Sequence, residues 1–363
     1  MVTRTTVEIP ATAVELAKRL HEAADAGAAV FPIGGGQAAE MGDPPAREGI
    51  ELRMTALDRV IEHSQADMVV SVEAGITLEA LQVELGKSGQ FLPLDPFNSP
   101  GHTIGGLIAT GWTGPLRQRY GSPRDYLIGI RVALPDGRLA SAGGRVVKNV
   151  SGYDLMKLHY GALGALGVIV AASFKVFPKP LHDATVESRH EAMDAAWSAA
   201  EQVLGMPMAP AAVELFSDGR VLARFLGSPE ATRRMVADLG WAKGEASAWK
   251  KHSAAAPPKW ARIAAPRARL RTILDRLGPD ERWWASPGIG FAHWEVNGGA
   301  EDVQAVRAAA AAEGGSLVLM AGPVELRQKA GAWGTPPATL HLMRRLRSAF
   351  DPNHVINPGK FVV

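Results

Sequence analysis

At 363 residues, 47% hydrophobic and 21% charged, the chain is long enough for two domains with separate cores and has the composition of a soluble globular protein. A formal net charge of +2 gives no ground for nucleic-acid binding, and the lack of any cysteine excludes disulfides, cysteine-ligated iron–sulfur clusters and a cofactor tethered through sulfur. The longest apolar runs fall short of the roughly 18 residues of a membrane span and no basic-then-apolar signal sequence opens the chain, so a cytoplasmic protein without a membrane span is expected.

Ala11 to Gly27 carries Val14, Leu16, Ala17, Leu20, Ala23 and Ala24 at helical spacing and stops at glycine. A strand from Ala28 to Ile33 runs into Gly34-Gly35-Gly36-Gln37, an arrangement that offers backbone N–H groups to a phosphate. Neither the G-x-G-x-x-G spacing nor a Walker A motif is present. Residues 67 to 74 read as a buried strand, and Thr77 caps a helix over Leu78 to Lys87. Pro100 to Gly114 holds five glycines in fifteen residues around the short apolar group Leu107-Ile108-Ala109. So much bare backbone reads as turns against which a ligand comes close, not as core. Tyr126 to Leu134 and Arg138 to Ala142 flank Pro135-Asp136-Gly137 as a hairpin, which Arg145 to Val150 extends. Tyr153 to Tyr160 reads as a short helix, and a third glycine cluster, Gly161 to Gly167, precedes the apolar run Val168 to Val176. Phe177-Pro178-Lys179-Pro180 reads as a hinge, and the domain boundary is placed there.

Beyond it eight of the nine tryptophans follow, with alanine-rich helices at 190 to 204 and 301 to 313. Asp218-Gly219 turns a second hairpin, Ser228-Pro229 starts a helix, and strands are expected at Gly290 to Val296 and Ser316 to Ala321. This mixture predicts a sheet covered on one face by helices. A helix near Ala338 to Phe350 leads into the tail Asp351 to Lys360. The arginines at 267, 269, 271, 344 and 345 read as solvated helix faces.

Six motifs in one order, Pro32-Ile-Gly-Gly-Gly-Gln37, Thr103-Ile-Gly-Gly106, Tyr120-Gly121 with Arg124-Asp125, Val147 to Asp154, Gly164 to Ile169 and Asn357-Pro-Gly-Lys360, resemble the vanillyl-alcohol-oxidase (PCMH) type of FAD-binding proteins. Within that family the likeness is greatest to the E-type flavin subunit of bacterial glycolate oxidases. The resemblance implies an α+β protein: a two-subdomain PCMH-type FAD-binding domain over 1–180, an α+β cap over 181–337, and a C-terminal helix and tail over 338–363 that returns to the FAD domain. It implies FAD pyrophosphate on the backbone of Gly34, Gly35, Gly36 and Gln37. Thr103, Gly105, Gly106, Ala109 and Thr110 would follow the flavin and ribityl chain, Gly164, Val168 and Ile169 the adenine end, and Asn357 would bring the tail to the ring system.

The chain departs from the family at three places. Ala109-Thr-Gly-Trp112 stands where many members have Ala-Thr-Asn-Ala, which puts Trp112 on the flavin track. Gln37 stands near the histidine that carries flavin in covalent members, so the FAD is expected to be noncovalent, with His102 set aside as a tether. Members that oxidise 2-hydroxy acids carry a His-x-His cluster, whereas His252, His293 and His341 are scattered here and no such pair occurs. No metal is expected. Arg117, Arg119, Lys148 and Tyr153 are weighed as substrate cation or base, but contact with phosphate, solvation and packing explain them as well, so no catalytic residue is assigned. The resulting expectation is the FAD subunit of a complex oxidising a small 2-hydroxy acid, glycolate to glyoxylate. A homologous flavin subunit would hold the acid, an iron–sulfur subunit would take the electrons, and the complex could meet the inner membrane face through partners. A stand-alone flavin oxidase of a sugar, lactone or alcohol, and a structural subunit that has lost FAD, remain the alternatives.

Overall fold

Thr12 accepts the N–H of Glu15 and starts the helix Ala13–Asp25, whose Leu16, Ala17, Leu20 and Ala23 form the buried stripe that the sequence spacing requires. In the computed structural model, which describes residues 6–97, 101–144, 154–245, 247–249 and 256–363, this helix packs on a three-stranded parallel sheet. Its strands are Thr6–Glu8, Gly49–Arg53 and Ala29–Ile33, with Gly49–Arg53 in the middle. A second, five-stranded antiparallel sheet runs in the order Val60–Ser64, Val69–Glu73, Val168–Lys175, Leu127–Ala133, Leu139–Gly143. Its hairpin turns at Asp136-Gly137, where Gly137 takes a left-handed φ of 80°.

The stretch expected to be bare turns is instead a helix, Ile104–Thr110. Thr103 caps its start by accepting the Gly106 N–H at 3.3 Å, and Gly111, at φ 64°, ends it in the left-handed conformation. The glycines had hidden an i, i+3, i+4 apolar pattern: Ile104, Leu107 and Ile108 are all buried. Gly105 is needed for close packing, since a side chain there would press on Ala74 of the neighbouring sheet.

From His182 onward the strands join one eight-stranded antiparallel sheet. The helices Met193–Leu204, Pro229–Leu239, Arg267–Leu274 and Ala300–Ala312 cover one face and bury the largest apolar cluster beneath them. The other face is covered as well, against the expectation of a single covered face. Trp260 of the strand Trp260–Ala264 and Met320 of Ser316–Ala321 share an apolar cluster with Leu94, Ile104 and Trp112 of the first half. Arg119 Nη1 donates to the Leu226 carbonyl at 2.5 Å and Gln118 Nε2 to that of Pro210 at 3.2 Å, joining the two halves at one edge. Aromatic pairs across this boundary, Trp112 with Trp260 and Phe97 with Trp284, add to the apolar contact.

After the helix Leu340–Phe350 the tail returns to the first sheet, where Val30 N–H donates to Val355 O at 2.8 Å and Asn357 N–H to Val30 O at 2.9 Å. Asp351, fully buried, accepts the N–H groups of Val355 and Ile356 and pairs with Arg347, which fixes the turn.

Candidate functional site

Three glycine-bearing segments and the tail meet in one groove. Pro32 to Ala39, Thr103, Gly106, Ala109, Thr110, Leu163 and Asn357 line its larger part, and Met54, Ala74, Gly105, Gly164, Val168 and Ile169 line a continuation that shares Pro32, Gly34, Thr103, Gly106, Ala109, Leu163 and Asn357. All thirteen residues named from the sequence lie on its walls: Gly34, Gly35, Gly36, Gln37, Thr103, Gly105, Gly106, Ala109, Thr110, Gly164, Val168, Ile169 and Asn357. The glycines have distinct reasons. Side chains at Gly34 and Gly35 would collide with Thr103 and with the Gly101 carbonyl, so their absence lets two distant loops touch. Gly36, at φ 80°, faces open space.

Among the described residues the N–H groups of Gly35 and Gly36 have no acceptor. Lys360 extends into the same part of the groove and donates through Nζ to the Ala39 carbonyl at 2.6 Å. Unused N–H groups beside a lysine suit a diphosphate, and the continuation lined by Met54, Val168 and Ile169 offers apolar walls for an aromatic base. The donor set therefore fits FAD. Lys360, Met41, Met54 and His102 escaped the sequence reading as wall residues. The tail motif containing Lys360 was its only signal.

The remaining residues fall outside the groove walls or play other parts. His102 lines the groove, but its Nε2 is hydrogen-bonded to the Phe97 carbonyl at 2.6 Å, and burial pushes its pKa down. Its ring meets Trp112 edge-on, and Trp112 stacks on Trp260 with ring centroids 5.6 Å apart. Trp112 is thus buried between the two halves, with no partner for its Nε1 among the described residues. Arg262, His293 and Trp284 stand in one row across three strands of the large sheet, and the rings of His293 and Trp284 both pack on Phe97. Arg119 is committed to the Leu226 carbonyl. Lys148, Tyr153, His252 and the strand expected at Arg145 to Val150 lie outside the described residues, and the described part of the short helix is Met156–His159. His341 is exposed on the C-terminal helix, and among the described residues no group of three or more His, Asp and Glu could hold a metal.

Asp95 precedes the central glycine stretch. Both its carboxylate oxygens lie 3.1 Å from the Leu116 N–H, and burial pushes its pKa up to about 8, opposed by Arg224 and reinforced by Glu214. Glu214 is fully buried in the strand Ala212–Phe216 and accepts from the Ser286 hydroxyl.

An FAD-binding domain family matches residues 5–143, and the C-terminal domain of FAD-linked oxidases matches residues 327–361. The chain is similar to glycolate oxidase subunit GlcE of Escherichia coli, 28% identical over 311 residues, which is 83% of this chain and 84% of that protein. It is 32% identical over 194 residues to glycolate oxidase subunit GlcD of Bacillus subtilis, covering 53% of this chain but only 41% of that protein. A D-lactate dehydrogenase of Archaeoglobus fulgidus is 27% identical over 97% of this chain and 90% of its own. Among solved structures, alkyldihydroxyacetonephosphate synthase superposes with a TM-score of 0.71 at 16% identity, covering 97% of this chain and 75% of that one, a likeness of fold.

Proposed function

The chain belongs to the PCMH-type FAD-linked oxidases, and from that premise we propose that it is the FAD-binding subunit of a glycolate-oxidase-like complex that oxidises a 2-hydroxy acid. The observation that carries this reading is the convergence of three glycine-bearing segments and the C-terminal tail on one groove. FAD held there would supply the hydride acceptor, and the protein would supply position and exclusion of water. The N–H groups of Gly34 to Gln37, with the Lys360 ammonium, would hold the pyrophosphate. Thr103, Gly105, Gly106, Ala109 and Thr110 would follow the flavin and ribityl chain, while Gly164, Val168 and Ile169 border the adenine. Asn357 would close the wall from the tail. Because His102 already bonds Phe97 and the chain has no cysteine, this FAD is noncovalent.

The same reading takes residues 1–180 as the flavin-binding unit, 181–337 as its cap and 338–363 as the returning tail. The sequence holds no His-x-His pair, which supports a division of labour in which a homologous flavin subunit deprotonates the acid and carries out its oxidation. Electrons would pass to an iron–sulfur subunit, since this chain has no cysteine to ligate a cluster of its own. The complex would work in the cytoplasm and reach the inner membrane face through partners. Among the described residues no helix is long and apolar enough to cross a membrane.

The test is the visible spectrum of the purified chain, followed by acid precipitation. Flavin bands whose FAD is released into the supernatant support the reading. A colourless chain that cannot be reconstituted with FAD overturns it in favour of a structural subunit. Steady-state oxidation of glycolate by the chain alone, with an artificial electron acceptor, overturns the division of labour.

A further inference from the structure

Arg117, in the short helix Arg117–Tyr120, and Arg262, in the strand Trp260–Ala264, come from opposite halves of the chain and meet over one ring. The guanidinium carbon of Arg117 lies 4.6 Å from the centroid of Phe291 and that of Arg262 lies 5.6 Å from it. Neither side chain forms an ion pair or a hydrogen bond among the described residues, and the Nε of Arg262 is buried without an acceptor. Asp125, a carboxylate close to Tyr160, is occupied by the N–H and hydroxyl of Ser122 at 2.6 and 2.9 Å. The Tyr160 hydroxyl lies where both arginine charges act on it, and it donates to the Gly111 carbonyl at 3.2 Å. Burial pushes the Arg262 guanidinium down from its ordinary value, and the nearby charge of Arg117 pushes the same way.

Two cations gathered at one partly buried ring repel each other and lose hydration, and the Phe291 ring offsets only part of that cost. An anion between them would reverse the sign of the balance. We propose that Arg117 and Arg262 form a binding site for a small carboxylate, of the size of a 2-hydroxy or 2-oxo acid, where the first half of the chain faces the large sheet. A planar carboxylate matches the guanidinium fork, and two arginines can share its two oxygens. Tyr160 supplies a neighbouring hydroxyl. Through Gly111 the site adjoins the end of the helix Ile104–Thr110, whose Ala109 and Thr110 line the cofactor groove. Holding an acid is a separate task from deprotonating it, so the site is compatible with a chain that leaves the base to a partner. In naming the acid the inference rests on the proposed function, but binding can be measured without flavin and the two can fail separately.

The experiment titrates the FAD-free and the FAD-loaded chain with oxalate, glycolate and inorganic phosphate, by calorimetry and tryptophan fluorescence. Oxalate and glycolate are expected to bind one per chain in both forms, and more tightly than phosphate. Arg117→Met and Arg262→Met should each weaken oxalate binding by about tenfold or more, with partial recovery in Arg262→Lys. Thermal melting and FAD affinity, both expected near the parent's, show that the variants are folded, and should Arg262→Met fail to fold, Arg117→Met carries the comparison. No carboxylate binding in either form, binding indifferent to both substitutions, or phosphate binding as tight as oxalate binding each overturns the site. Carboxylate binding in a chain that takes up no FAD sustains this site and overturns the proposed function instead.

Discussion

The side-chain amide of Asn357 donates a 2.6 Å hydrogen bond to the carbonyl of Leu163, so the end of the chain clasps the third glycine loop. Both residues hold left-handed backbone, Asn357 at φ 47° and Leu163 at φ 50°, which asparagine tolerates and leucine rarely adopts. The clasp therefore does two things at once: it fixes a strained loop and it closes one wall of the groove.

Asn357→Ala removes the buried bond and leaves a Cβ residue in the left-handed region, so a loss of about 1–3 kcal/mol of stability is expected. FAD affinity should fall by about tenfold if the wall moves. Asn357→Gly relieves the backbone and removes only the bond. Stability from denaturant unfolding and FAD affinity from fluorescence separate the two contributions. Equal stability of the alanine and glycine variants would mean that the backbone conformation carries no cost.

Gly34 and Gly36 stand two residues apart and should respond differently to alanine. At Gly34 a methyl group would collide with the Thr103 hydroxyl, separating the two loops that form the groove. Gly34→Ala is expected to purify with little or no flavin. At Gly36 the space is open and only the positive φ resists, a cost of about 1–2 kcal/mol. Gly36→Ala should retain FAD at reduced affinity, as judged from the flavin-to-protein absorbance ratio.

These glycines also show what was legible. A glycine cluster after a strand announces close backbone approach whatever the fold, and the groove walls followed from that. Ile104–Thr110 was read as turns because four of its neighbours or members are glycine, and only Thr103 and the spacing of Ile104, Leu107 and Ile108 betray a helix. Thr6–Glu8 and Gly49–Arg53 escaped notice because a parallel pair depends on register with distant strands, not on any local period. The approach of Arg117 to Arg262 was illegible for the same reason, since only the packing of one half on the other brings them to Phe291. Asp95 gave no sign of its burial, because a Leu-Asp-Pro sequence reads as an exposed turn.

Lys360 provides a charge where the glycine loop provides only N–H groups. Lys360→Met keeps the stem and removes the ammonium, so FAD affinity should fall by about tenfold at low salt. The difference from the parent should shrink as ionic strength rises, because screening already weakens the lysine's contribution. Titrations at two salt concentrations check this. A difference indifferent to salt would mean that Lys360 acts through its bond to Ala39 and not through its charge.

Asp95 links stability to pH. In the unfolded chain its carboxyl ionises near its ordinary value of 3.8, whereas in the folded chain burial keeps it protonated up to about pH 8. Between those values the folded chain binds more protons than the unfolded one, so this group's stabilising contribution is complete below about pH 4 and declines as pH rises, levelling off above about pH 8. Asp95→Asn keeps an oxygen for the Leu116 N–H and cannot ionise. Its melting temperature relative to the parent's should therefore climb from pH 5 to pH 8 and then flatten. A difference that stays constant over that range would mean that Asp95 is already ionised in the fold, with Arg224 and the Leu116 N–H outweighing desolvation and the repulsion from Glu214.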